Sequence, residues 1–307
     1  MNTSVNALIV AEIGKQVGWG HVARAHILKT LLSPYIAVTV KVVNREPWDS
    51  TILAEEFALK ELVDADIAFL DGLSLKYESD RFIKAPSKIS LSYISDVNDV
   101  VDLVVAPALN GMPTQSHFIT DLSAMLCNNP CAGSVLDAER VLESKIVGVC
   151  MGGGDADGVA PEIVNAIERR GFEAFMYPTS SMQKVSLDAF LKRKLLGTEH
   201  QPFPYASMKH CHTVICQGGL SAVELALMGM PTVIRRREQF SDAYRFLHDH
   251  GCALPTNLNS ISEIVNGVEK IIQDTVLWRG MSRAGSVLNA RLSESFWLSL
   301  VNNIMRK

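Results

Sequence analysis

Short apolar, β-branched runs alternate with stretches of helical spacing from the beginning of the chain. Residues 7–11, 36–43, 67–70, 88–94 and 103–105 predict strands, and residues 21–32 and 51–63 predict helices. After a Cys/Asn/Gly/Ser-rich passage at 127–134 the alternation restarts. Strands are predicted at 145–151, 172–177, 212–216 and 232–234, with helices at 159–170, 221–228 and 240–250. Ser260 followed by Glu263 has the spacing of a capping box and predicts a helix running to Gln273. The segment 293–305 is amphipathic, with Phe296, Trp297, Leu300, Val301 and Ile304 near helical spacing, and is expected to pack back across the first half. Alternation of this kind predicts parallel sheets covered by helices on both faces. The expected architecture is therefore α/β with two Rossmann-like domains, 1–140 and 141–307.

At 307 residues the chain is long enough for two cores, and its 48% hydrophobic and 20% charged residues exclude a disordered class. Net charge is −4, unevenly spread: residues 1–140 hold 11 Lys and Arg against 17 Asp and Glu. An acidic first half argues against a nucleic-acid partner, which calls for a basic stripe. The apolar run at 7–11 is too short for a signal segment or a membrane span, so a cytoplasmic protein without stable membrane insertion is expected. Six cysteines include no repeated CxxC pair. His210-Cys211-His212 has metal-ligating residue types, but neighbouring side chains on a strand point to opposite faces, so free thiols and no metal are expected.

Three glycine-rich turns carry the candidate chemistry, each between a predicted strand and a helix. The first holds Gly18, Gly20, His21 and Arg24. Glycine lets the backbone turn sharply beside a ligand, and His21 is a titratable group at the carboxyl edge of a parallel sheet. It is either a functional imidazole or a helix-capping one. The second turn holds Gly152, Gly153, Gly154 and Asp155, where Asp155 either orients a ligand hydroxyl or caps the following helix. The third holds Gly218, Gly219, Leu220, Ser221 and Glu224. Its amides and the positive end of the helix dipole suit a diphosphate, while Glu224 takes a ribose or merely complements the dipole. Downstream, Arg235, Arg236 and Arg237 either steer phosphates or form a solvated turn, and Gln239 is placed to reach a sugar hydroxyl.

These segments together resemble the GT-B nucleotide-sugar proteins over nearly the whole chain. Within that group the resemblance is to the UDP-sugar hydrolases of pseudaminic acid biosynthesis and their spore-coat polysaccharide relatives. It rests on Gly18-x-Gly20-His21-x-x-Arg24, on Gly153-Gly154-Asp155, and on Gly218-Gly219-Leu220-Ser221 followed by Glu224. Gly229-Met230-Pro231 and Gln239-x-x-Asp242-Ala243 extend it. Gly154 stands where those proteins have Ser, Asp242 where they have Asn, and Ala11 to Gln16 replaces an Arg and Asp-Ala-Ser sequence.

The resemblance implies sheets facing a central cleft, His21 as the catalytic residue, and a UDP-sugar as the small-molecule partner. It implies no cofactor. The expected reaction is hydrolysis of a UDP-linked deoxyamino sugar, with His21 drawing a proton from the attacking water. Glycosyl transfer from a UDP-sugar is the alternative, and non-catalytic binding of a nucleotide sugar is a third.

Overall fold

The computed structural model describes residues 5–13, 20–44, 59, 61–92, 95–107, 117–127, 138–151, 155, 157–177, 205–236, 241–256, 260–290, 293 and 295–306. The chain divides into two units. The first comprises Met1–Cys127 together with Arg291–Lys307, and the second Asn128–Ala290.

The first unit runs β1 (Asn6–Ile13), α1 (Gly20–Leu32), β2 (Ala37–Asn44), β3 (Val63–Asp64), β4 (Ile67–Asp71), α2 (Lys76–Phe82), β5 (Ile83–Lys84), β6 (Ser87–Ser90), β7 (Leu103–Val105) and β8 (Phe118–Ile119). Six of these strands form one parallel sheet in the order β2-β1-β4-β6-β7-β8. The central strand β4 is buried along its whole length, which is why its sequence is continuously apolar up to Asp71. Ala7, Ile9 and Ala11 of β1 pack with Ala25, Leu28 and Leu32 of α1 on one face, while Leu8 and Val10 pack with Leu70 and Leu75 on the other. The predicted helix over 51–63 falls largely outside the described residues, and its last position, Val63, opens β3 instead. The predicted strand at 88–94 ends at Ser90.

The second unit runs α3 (Ala138–Glu143), β9 (Ile146–Cys150), α4 (Ala160–Arg169), β10 (Glu173–Met176), α5 (Tyr205–Met208), β11 (Thr213–Gln217), α6 (Leu220–Leu227), β12 (Thr232–Arg235), α7 (Ser241–Asp249), β13 (Ala253–Thr256), α8 (Ile261–Gln273) and α9 (Thr275–Asn289). Its five described strands are all parallel, in the order β10-β9-β11-β12-β13. Ser260 Oγ accepts the Glu263 amide at 3.3 Å and caps α8. α9, absent from the sequence expectation, crosses α6 so closely that a Cβ on Gly285 would lie 1.8 Å from the Ala226 carbonyl oxygen. The chain then returns to the first unit as α10 (Ser295–Met305), where Trp297 packs edge-on against Phe69, ring centroids 6.1 Å apart, and Val301 joins the same core.

Each sheet contains a point where the connections change direction. From β1 the chain moves outward to β2, while β4 and its successors lie on the opposite side. From β9 it moves to β10, while β11 to β13 lie on the other side. In open parallel sheets the crevice at the carboxyl ends of two such strands is where ligands bind. The two crevices, β1/β4 and β9/β11, are the places the fold itself marks for function.

Candidate active site

The β1/β4 crevice holds a cluster of charged side chains. Asp71 ends β4, in register with Ala11 of β1, and is fully buried. His21 and Arg24 sit one turn apart at the start of α1, a spacing that puts both on one helix face. Arg24 donates to both carboxylate oxygens of Asp71, Nε to Oδ2 at 2.9 Å and Nη2 to Oδ1 at 2.6 Å. The imidazole Nδ1 of His21 lies 2.5 Å from the same Oδ1.

Burial alone would raise the Asp71 pKa, but the charges of Arg24 and His21 and their hydrogen bonds outweigh it and hold the group below its ordinary value. Asp71 is therefore an ionised acceptor. The tautomer that carries its proton on Nδ1 donates it to Oδ1, the oxygen that Arg24 Nη2 also reaches, and Nη2 itself lies 2.7 Å from Nδ1. That tautomer carries a lone pair on Nε2, which is what a general base offers.

Glu12, at the carboxyl end of β1 and almost fully buried, steadies the loop that follows Asp71. Its Oε2 accepts the amides of Leu73 at 2.5 Å and Ser74 at 3.1 Å. A Cβ on Gly72 would come within 2.6 Å of Glu12 Cβ, so only glycine lets β4 turn against this carboxylate.

The β9/β11 crevice is built differently. β11 ends at Gln217, and Gly218, Gly219, Leu220 and Ser221 are all partly exposed. Gly219 is the N-cap of α6, with φ 135° and ψ −166°, and no side chain among the described residues caps that helix. The first amides of α6 have no acceptor within the helix and carry the positive end of its dipole. Glu224 is buried in the second turn of α6. Asp155, across the crevice, accepts the Val159 amide on Oδ1 at 3.0 Å and the Ala160 amide on Oδ2 at 2.8 Å. Both its oxygens thus serve the start of α4. Arg235, which ends β12 opposite Gln217, forms a 2.8 Å ion pair with Asp157.

The structure therefore brings His21 and Arg24 together at one edge, beside Gly20, and residues 218–221 with Glu224 at another. Gly18, Gly153, Gly154 and Gln239 lie outside the described residues. Asp71, Glu12 and Asp157 did not figure as site residues in the sequence. The signal for Asp71 was a carboxylate closing an otherwise continuous apolar run, directly before a glycine. No group of three His, Cys, Asp or Glu among the described residues can hold a metal. In the His210-Cys211-His212 run, Cys211 Sγ lies 3.4 Å from the Tyr177 hydroxyl and His212 packs on Trp278. No helix among the described residues is long and apolar enough to cross a membrane.

No protein-family model and no curated protein matches this sequence, whereas many solved structures match the fold. The spinosyn rhamnosyltransferase SpnG, complexed with spinosyn aglycone, superposes with a TM-score of 0.63 at 13% identity, over 96% of this chain and 99% of that one. The fold is GT-B. Acinetobacter baumannii MurG gives a TM-score of 0.63 at 11% identity, over 99% of this chain and 100% of that one. Anabaena HepE, solved with UDP and glucose, gives 0.58 at 14% identity, over 98% and 99%. SpnG has also been solved with thymidine diphosphate. These GT-B structures agree with the nucleotide-sugar part of the sequence resemblance and do not single out its hydrolase branch.

Proposed function

We propose that this chain is a nucleotide-sugar-dependent glycosyltransferase in which the second unit binds the nucleoside diphosphate and the first supplies the general base. The observation that carries this reading is the Asp71-bound imidazole of His21 at the switch point of the first sheet. As an acceptor hydroxyl oxygen attacks the anomeric carbon, His21 Nε2 takes its proton. The bond from that carbon to the phosphate oxygen breaks, and the nucleoside diphosphate leaves with the pair. Asp71 stabilises the imidazolium that forms, and the amides of residues 218–221 stabilise the charge on the departing diphosphate. Glu224 is assigned to the ribose, and Arg24 keeps Asp71 ionised and in place.

Hydrolysis is the second reading, supported by the Gly18-x-Gly20-His21-x-x-Arg24 pattern, and uses the same base with water as the acceptor. UDP- and dTDP-sugars incubated with and without candidate acceptors separate the two. Nucleotide release that needs an acceptor supports transfer, and release without one supports hydrolysis. His21→Ala is expected to lower kcat by about 100- to 10,000-fold while nucleotide affinity stays within a factor of two or so. Tight nucleotide binding with no release from any sugar, by the unmodified protein, would leave only a binding role.

A further inference from the structure

The Arg235–Asp157 ion pair has a peculiar position. β11 lies between β9 and β12 in the sheet, Arg235 ends β12, and Asp157 lies in the connection after β9. The 2.8 Å bond between them therefore reaches over the carboxyl end of β11, a span of about 10 Å between β9 and β12 at ordinary strand spacing. Directly at that end, Gly218 and Gly219 open α6. The two partners are also unequal: the Arg235 side chain is 4% exposed and that of Asp157 is 47% exposed. A guanidinium enclosed by the fold stays in place when its carboxylate partner changes, whereas a half-exposed carboxylate swings into water at little cost.

We propose that Asp157 is a built-in anion that occupies Arg235 in the unliganded protein and yields it to a ligand phosphate. This inference rests on the reading of the second unit as a nucleoside diphosphate site. The guanidinium fork matches phosphate oxygens as well as it matches a carboxylate, and a diphosphate brings more negative charge than Asp157. The exchange leaves the buried cation satisfied in both states. It also discriminates: uridine, with no phosphate, gains nothing from displacing Asp157, whereas UDP gains the Arg235 contact. Asp157 then raises the threshold of charge that a ligand must carry before it is held.

Calorimetric titration of the full chain with UDP, dTDP, uridine and inorganic pyrophosphate tests this. Asp157→Asn is expected to tighten UDP about three- to tenfold and leave uridine unchanged, because a competitor for the cation is gone. Arg235→Gln is expected to weaken UDP about tenfold or more, with Arg235→Lys between, and in the Arg235→Gln background Asp157→Asn should no longer matter. UDP affinity unchanged or weakened in Asp157→Asn, with its melting temperature lowered, would show a static clamp on the β9–α4 connection and overturn the exchange. If the unmodified protein binds neither UDP nor dTDP, the function proposed above falls, and pyrophosphate reads the exchange on its own: tightening in Asp157→Asn upholds it, and no response overturns it.

Discussion

At the first switch point, between β1 and β4, the groups on offer are side chains: His21, Arg24, Asp71 and Glu12, drawn from three elements. At the second, between β9 and β11, they are chiefly backbone amides at Gly218, Gly219 and the start of α6, with one buried arginine alongside. The sheets share a topology rule and differ in what they put there. A cluster of buried charges is stable only if each member is answered by another, so the first edge is specific and easily upset by one substitution. An amide mouth presents partial charges fixed by the backbone, so it suits an anion whose geometry varies, and it is upset by changes in backbone conformation. The proposed function assigns proton transfer to the first arrangement and the holding of phosphates to the second.

The sharpest way to break this contrast is Asp71→Asn. The amide has nearly the same shape, but its NH2 can donate to Nδ1 and shift the imidazole proton to Nε2, removing the lone pair that the proposed general base needs. We expect kcat to fall about 1,000-fold, about 4 kcal/mol, with UDP affinity unchanged. A loss of UDP affinity as large as the loss in kcat would mean that the cluster holds the nucleotide and that the division of labour between the units is wrong.

How much of this was legible in the sequence follows from what carries each feature. Apolar runs of parallel-sheet type marked every strand of the two large sheets except β8 and β13, and the glycine-rich turns marked the starts of α1, α4 and α6. α9 was missed because Gly280, Gly285, Ser282 and Ser286 break its helical pattern; Gly285 is there because α6 approaches too closely for any side chain. Val63 was absorbed into a helical pattern although it pairs with Ile83, a contact twenty residues away that no local spacing reveals. His21 and Arg24 were visible because they share one motif. Asp71 is fifty residues from His21, and only the pairing of β1 with β4 brings it there. Asp155 reads from the sequence as a ligand contact or a cap, and the structure adds that both of its oxygens accept α4 amides.

A second prediction compares two buried histidines. His21 has a carboxylate on its ring, whereas His212, at the foot of β11, is 2% exposed, packs edge-on against Trp278, and has no partner for Nδ1 among the described residues. Burial without a counter-charge pushes the His212 pKa down from 6.5 to about 4. Below pH 6.5 the unfolded chain takes a proton that the folded one refuses. Stability from this group is therefore full above pH 6.5 and falls as pH drops toward 4, by about 3 kcal/mol in all. Urea denaturation between pH 7.5 and 4.5 should show that His212→Phe, which fills the same space without titrating, has a flatter profile. Equal slopes in the two proteins would mean that His212 is solvated or paired.

The smallest expected effect probes the amide mouth without touching any charge. Gly219 holds φ 135° and ψ −166°, a region that side-chain-bearing residues avoid, yet nothing among the described residues lies within 4 Å of where its Cβ would be. Gly219→Ala meets no clash with the described residues, and its cost is conformational, about 1–3 kcal/mol. The chain relieves that strain by rotating the peptide at the N-cap of α6, which turns the amides away from the place where they converge. UDP affinity is expected to drop about tenfold, with uridine affinity and the pH profile of turnover unaffected, since the Asp71–His21 pair belongs to the other unit. A Gly219→Ala variant that keeps its UDP affinity while melting at lower temperature would show that the glycine serves only the fold of the β11–α6 turn, and the phosphates would then have to be held by Arg235 rather than by the backbone.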